Sequence, residues 1–224
     1  MTRISVAAPI LNEARHIDLW WQCVGQFANE VVITDGGSTD GTLTEIFEAQ
    51  YLLPKIEWDI SARIQTGEPY SPDWNEGAVR NDLLSRVTGD YCVLLDADEL
   101  VSPLDVKLVM GMMEFRNAPI AYLRWVTFWG DTSHVRVNTW RDRRWNGAWV
   151  PRIIKMGAGV HYDNKKHHCR LHGGRRVYVD VPLFHMHYAY GPDGLKKHDN
   201  RRFDFGDKPV NRPVVREWDG AVPE

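Results

Sequence analysis

The stretch Gly89-Asp90-Tyr91-Cys92-Val93-Leu94-Leu95-Asp96-Ala97-Asp98-Glu99-Leu100 decides how this chain folds. Tyr91 to Leu95 is an unbroken apolar run, the pattern of a strand buried on both faces, and it ends abruptly in three carboxylates. Leaving Asp96, Asp98 and Glu99 unpartnered in a core would cost several kcal/mol each. They therefore belong at the strand's carboxyl end, where open α/β sheets bind their ligands. On an extended backbone Asp96 and Asp98, two apart, present their side chains to the same side. Two hard oxygen donors at that spacing suit Mg²⁺ or Mn²⁺ holding a diphosphate.

Around this stretch lie 224 residues, enough for one sizeable α/β domain. A hydrophobic share of 43% and a charged share of 25% exclude a disordered chain. No apolar run approaches the roughly 18 residues of a membrane helix, and the N-terminus shows no signal-peptide pattern, so the expected location is cytoplasmic. Cys23, Cys92 and Cys169 are scattered and odd in number, which argues against a disulfide framework. The net charge of −3 hides an asymmetry. Residues 1–139 carry about 10 Lys and Arg against about 20 Asp and Glu, whereas residues 140–224 carry about 17 against about 10. An acidic half joined to a basic half suits anionic ligands.

Upstream, Ile4 to Ile10 reads as a first parallel strand, stopped by Pro9, which lacks the amide a central strand needs. A helix from about Arg15 to Phe27 puts Ile17, Trp20, Trp21 and Val24 on one face. Val31 to Thr34 is a second strand, running into the glycine-rich turn Asp35 to Thr42. A helix from Leu43 to about Ala49 follows, capped by Asp40 or Thr42. Ile56 to Ile60 reads as a third strand, and a polar loop leads to a helix from about Asn75 to Val87. This rhythm predicts a parallel sheet with right-handed crossovers. After Leu100 it changes: a helix from Asp105 to Arg116 with a Met-rich core face, then strands at Ala121 to Trp129, Val150 to Met156 and Val177 to His187. A short helix from about Gly194 to Phe203 and an irregular basic tail complete the chain. No repeat and no linker divides it.

The conspicuous loops leave the carboxyl ends of predicted parallel strands and can converge on one crevice. They read P-x-x-N-E at Pro9 to Glu13, D-G-G-S-T-D-G-T at Asp35 to Thr42, A-x-R-N at Ala78 to Asn81, and G-D-Y-x-x-x-L-D-A-D-E at Gly89 to Glu99. Each motif is weak alone, but their order and spacing over roughly the first hundred residues resemble the family 2 glycosyltransferases of the GT-A fold. The resemblance implies a Rossmann-like, mostly parallel sheet flanked by helices, with a smaller mixed acceptor-side region. Residues 1–100 would form the nucleotide-sugar half and residues 101–224 the acceptor half with its basic tail.

The resemblance also assigns roles. Asp35 would accept the N–H of the nucleotide base, with Glu13 and the Pro9 backbone lining the same pocket. Arg80 would lie near the base and phosphates, a role its planar donors suit. Asp96, with Ala97 beside it, would face the ribose or a metal-bound water, and Asp98 would ligate Mn²⁺ or Mg²⁺. A late strand in relatives often supplies a histidine ligand; Pro182 to Tyr188 is similar to it and offers His185, with His187 as the alternative. Two departures stand out. Gly36 replaces a second Asp found in many relatives, and no Glu follows Lys166-His167-His168, where relatives often place a His-Glu pair. The candidates for the acceptor base are then Asp163, His167, His168 and Asp142.

The implied activity is metal-dependent transfer from a nucleotide-diphosphate sugar, UDP-linked in the first instance, to a hydroxyl acceptor with inversion. The acceptor stays open between a glycan, a small molecule and, as an alternative with which the basic, Trp- and Arg-rich second half is compatible, modified DNA. Outside enzymes, a nucleic-acid-binding module or an inactive nucleotide-sugar binder is the competing reading. A nucleotidyltransferase would show a Gly-rich loop with Arg and Lys after the first strand, and a dehydrogenase G-x-G-x-x-G; neither is present. A zinc site at His167, His168, Cys169 and His172 lacks a second cysteine at usable spacing.

Overall fold

The computed structural model describes residues 2–62, 75–136, 149–165, 169–190 and 215–217. The first half alternates as its sequence dictates: β1 (Ile4–Ile10), α1 (Ala14–Val24), β2 (Glu30–Asp35), α2 (Thr42–Leu52), β3 (Glu57–Ala62), α3 (Glu76–Arg86) and β4 (Tyr91–Leu94). β1 pairs in parallel with β2 and β4, and β2 with β3. All of β2 and β4 is buried, as continuous apolar strands covered on both faces must be. Val6, Ala8, Val31, Ile33 and Val93 join a core with Ile17, Trp20 and Val24 of α1. The alternate residues Ala7, Val32, Cys92 and Leu94 join another with Val79, Leu83 and Leu84 of α3. The two-residue period of the strands thus divides the packing between two layers of helix.

The second half comprises β5 (Glu99–Leu100), α4 (Pro103–Arg116), β6 (Ile120–Thr127), β7 (His134–Arg136), β8 (Trp149–Lys155), β9 (His161–Tyr162), β10 (Leu171–His172), β11 (Arg176–His185) and β12 (Val215–Glu217). The main sheet has eight strands in the order β3-β2-β1-β4-β8-β6-β11-β5. β8 runs antiparallel to both β4 and β6, β11 is parallel to β6, and β5 is antiparallel to β11. Among the described residues no helix is long and apolar enough to cross a membrane.

Pro9 does not stop the first strand, which continues to Ile10. The Ala7 carbonyl accepts the Leu95 amide on the β4 side, and β4 pairing ends at Ala7 opposite Leu94. The missing Pro9 amide, two residues on, faces that same side beyond the partner's end, so no ladder bond is lost. β11 stops at His185, two residues short of the expected end, and α2 is longer than expected at its carboxyl end. The expected helix over 194–203 lies outside the described residues.

Two loops above β1 and β2 are stitched together. The Asn12 amide donates to Ser38 Oγ (2.9 Å), the Thr39 amide to Asn12 Oδ1 (2.8 Å), and the Glu13 amide to Thr42 Oγ1 (2.8 Å). Asp40 accepts from the first amide of two helices, Thr42 of α2 at 3.1 Å and Ala14 of α1 at 3.1 Å. It is thus more than a cap for α2: it ties the N-termini of α1 and α2 together. The residue in the N-cap position of α2 is Gly41, at φ 97°, where a side chain would be strained.

α3 is seated by the β9–β10 hairpin. Asn75 caps it through Ala78 N–H (2.9 Å), and Asn81 exchanges two bonds with the Tyr162 backbone (2.8 and 2.9 Å). Gly77 lies so near that a Cβ there would sit 2.0 Å from the Asp163 carbonyl oxygen. Gly→Ala inside a helix normally gains about 1 kcal/mol. Gly77→Ala should instead lose about 1–3 kcal/mol, because backbone rather than a flexible side chain must give way. Urea unfolding checks this, and a gain in stability would show that the hairpin does not press on α3.

Candidate functional site

Beyond β4 the chain does not stay extended. The Glu99 amide donates back to the Asp96 carbonyl (2.9 Å), closing a turn that sends the three carboxylates to different partners. Asp96 and Asp98 consequently do not act as one side-by-side pair. Glu99 is 0% exposed. Arg152 of β8 grips it with Nε to Oε2 at 2.7 Å and Nη2 to Oε1 at 2.6 Å. Arg152 Nη2 also reaches Asp96 Oδ2 (3.0 Å), and Arg80 Nη2 of α3 approaches the two oxygens of Asp96 at 3.2 and 3.3 Å. Arg80 is itself buried, bonded through Nε to Glu76 (3.1 Å), and its guanidinium lies 5.8 Å from the centre of the Tyr162 ring. Burial pushes the Asp96 carboxyl upward, but Arg80 and Arg152 outweigh it and leave it below its ordinary range. For Glu99 burial wins over Arg152, and its carboxyl lies above the ordinary range.

Asp98 takes the other direction. β5 pairs with β11 so that His185 stands opposite Glu99, and the Met186 amide donates to the Asp98 carbonyl (2.7 Å). This brings two imidazoles to one carboxylate: His187 Nδ1 lies 2.9 Å and His185 Nε2 3.4 Å from Asp98 Oδ2. Their rings are parallel within 1°, with centroids 5.7 Å apart. Burial raises the Asp98 carboxyl, and the charge and hydrogen bonds of His185 and His187 overcome this to hold it well below the usual range. One donor atom from each of the three residues lies within 4.8 Å of the others. Neighbouring ligands on a cation with bonds of about 2.1 Å stand about 3 Å apart, so the trio fits a divalent ion. Among the described residues His185 Nδ1 is buried without a hydrogen-bond partner.

The residues expected on the donor side sit on the neighbouring loops. The Asp35 carboxylate is turned into its own loop, accepting the amides of Gly37 (2.8 Å) and Ser38 (3.0 Å) and the Ser38 hydroxyl (2.5 Å). Pro9 is half-buried, one residue before the end of β1, and Ala97 is buried in the acidic turn. Glu13 Oε2 meets His16 Nδ1 at 2.7 Å. The His16 ring stacks towards His187 (centroids 6.4 Å apart, 11° between planes), so the P-x-x-N-E loop and the histidine pair are physically linked.

Asp163 is placed on the β9–β10 hairpin. It accepts the Arg170 amide (2.7 Å) and faces Lys165 (3.2 Å) and His172 (3.7 Å). His167, His168 and Asp142 lie outside the described residues. Burial pushes the Cys169 thiol up to about 12. Arg152 and His16 were missing from the residues expected in the site. Arg152 had a signal, a charge in the middle of an otherwise largely apolar strand; His16 had only its three-residue spacing from Glu13.

Removing Arg152 strands a buried charge. Arg152→Met should cost about 3–5 kcal/mol in urea unfolding, and the double variant Arg152→Met, Glu99→Leu should recover most of that. Equal loss in the single and double variants would mean that Arg152 acts by packing alone.

Beyond geometry, the sequence matches the family described as Glycosyl transferase family 2 over residues 5–175. No curated protein sequence matches it. Similar solved structures include S. aureus TarS, 15% identical with a TM-score of 0.54 over 82% of this chain and 36% of that one. The 1–349 part of TarS in complex with UDP-GlcNAc is 14% identical, TM-score 0.53, over 93% of this chain and 68% of that one. The mannosyltransferase PcManGT from Pyrobaculum calidifontis, in complex with GDP-Man and Mn²⁺, is 16% identical, TM-score 0.59, over 94% of this chain and 66% of that one. The chain thus spans only about a third of full TarS. Likeness at these identities shows the fold, which is the GT-A architecture expected from the sequence.

Proposed function

Because the chain belongs to glycosyl transferase family 2, we propose that it moves a sugar from a nucleotide-diphosphate donor to an acceptor hydroxyl, with a divalent cation held by Asp98, His185 and His187. The convergence of those three side chains at the carboxyl end of β4 carries the reading. When bound, the ion supplies positive charge to the departing diphosphate. The chain's own residues divide the remaining work. Asp96, fixed between Arg80 and Arg152, is positioned for the ribose side of the donor. Among the described residues Arg80 Nη1 is buried without a hydrogen-bond partner, a donor available to a phosphate or ribose oxygen. Asp35 and Glu13, on the stitched loops, line the base end.

UDP is the first nucleotide to test, a choice supported by UDP-GlcNAc in TarS, whereas PcManGT holds GDP-Man. Residues 1–100 serve as the donor half and residues 101–224 as the acceptor half. Inversion requires a base on the acceptor side. Asp163 is engaged by its own hairpin, which moves that role to His167, His168 or Asp142.

The donor set also chooses the metal. Two imidazoles with one carboxylate are borderline rather than hard, so Mn²⁺ should bind more tightly than Mg²⁺, which prefers all-oxygen sites and keeps its waters. In thermal unfolding, UDP with Mn²⁺ should raise the melting temperature more than UDP with Mg²⁺, or than GDP, CMP or NAD with Mn²⁺. Asp98→Ala should abolish the metal-dependent shift and lower turnover by at least about a thousandfold, the loss of roughly 4 kcal/mol of barrier stabilisation. Full turnover in Asp98→Ala, or in excess chelator, would refute the metal-dependent reading. A Mg²⁺ shift equal to that of Mn²⁺ would refute the ion assignment alone.

A further inference from the structure

α4 buries Val106, Val109 and Met113 against the sheet and turns the opposite face to solvent. That face carries Leu104 at 76% exposure, Leu108 at 53% and Phe115 at 77%. With Gly111 they occupy positions 104, 108, 111 and 115, the four-three-four spacing of a coiled-coil seam, all within about 60° of one another around the helix. Gly111 is the second observation. A Cβ there would meet nothing within 4 Å, so no contact among the described residues requires a glycine. Yet glycine in a helix interior costs about 1 kcal/mol relative to alanine. A backbone passing close to Gly111 from outside would account for it.

The flanking charges identify that neighbour. Asp105 and Arg116 border the seam on one side, Lys107 and Glu114 on the other. We propose that α4 pairs antiparallel with α4 of a second copy of this chain. With Leu104 facing the second copy's Phe115, and Leu108 its Gly111, one register brings Lys107 to the second copy's Glu114 and Asp105 to its Arg116. Two-fold symmetry makes each pair twice. A parallel pair would set Lys107 beside Met112 and forfeit these matches. Glu114 already accepts Lys155 Nζ (2.7 Å) and the Tyr91 hydroxyl, but its side chain is 55% exposed and has room for a further cation. A seam of this length buries less than about 1,200 Å² in total, which makes the association weak and reversible.

Sedimentation velocity over about 5–500 µM protein, a range that brackets micromolar dissociation, tests this. The weight-average sedimentation coefficient should rise with concentration. Leu108→Glu should abolish the rise with an unchanged melting temperature, since Leu108 faces solvent in the monomer. Lys107→Glu should weaken association at least about tenfold at low salt and less at high salt. A monomer at every concentration overturns the proposal, including the case in which the monomer binds lipid vesicles through the stripe. Association surviving Leu108→Glu also overturns it, and indifference to Lys107→Glu overturns the antiparallel register.

Discussion

A carboxylate with no access to water, Glu99, and an arginine 53 residues further along the chain fix the geometry of everything beyond β4. Neither group is tolerable there without the other. A buried pair of this kind contributes little net stability, because desolvation consumes most of the attraction, but it permits only one arrangement. Bidentate contact sets the azimuth of the acidic turn against β8, and the shared grip on Asp96 sets its height. The antiparallel insertion of β8 between β4 and β6 follows, since Arg152 must reach the turn from the strand beside it.

The charge asymmetry of the sequence acquires a location here. The acidic half supplies Asp96, Asp98 and Glu99. The basic half supplies Arg152 and the two imidazoles, and only Arg80 comes from the same half as the acids it serves. Arg80 and Arg152 counter Asp96 and Glu99, which leaves Asp98 to face the histidines alone. A cation held as proposed would then meet one carboxylate rather than three, a softer environment than the motif suggests.

The parts legible in the sequence were those decided by local pattern. The strand–helix rhythm to Leu95, the start of α3 near Asn75 and the glycine turn after β2 each follow from periodicity or turn chemistry within about ten residues. Asp98 and His185 could be placed through the resemblance, and the structure brings them together. What local pattern could not show was pairing chosen by distant partners. The turn at Asp96–Glu99 exists because β5 adds to β11, and the passage of β1 through Pro9 is tolerated only because β4 ends early. His187, beyond the end of its strand, lies nearer Asp98 than His185 does because the chain turns after Met186.

One feature of this design bears on how the molecule comes into being. Asp98 and His187 are separated by 89 residues of chain, and the intervening segment lays down β6, β8 and β11 before the two can meet. During synthesis from the ribosome, the two stitched loops and the parallel strands can assemble while Asp98 is still without its two imidazoles. Closing so long a loop is slow, and the pairing that closes it is non-local. On the proposed reading, ion capture would therefore be a late event in biogenesis, and a chain holding a metal at Asp98, His185 and His187 would already have completed its sheet.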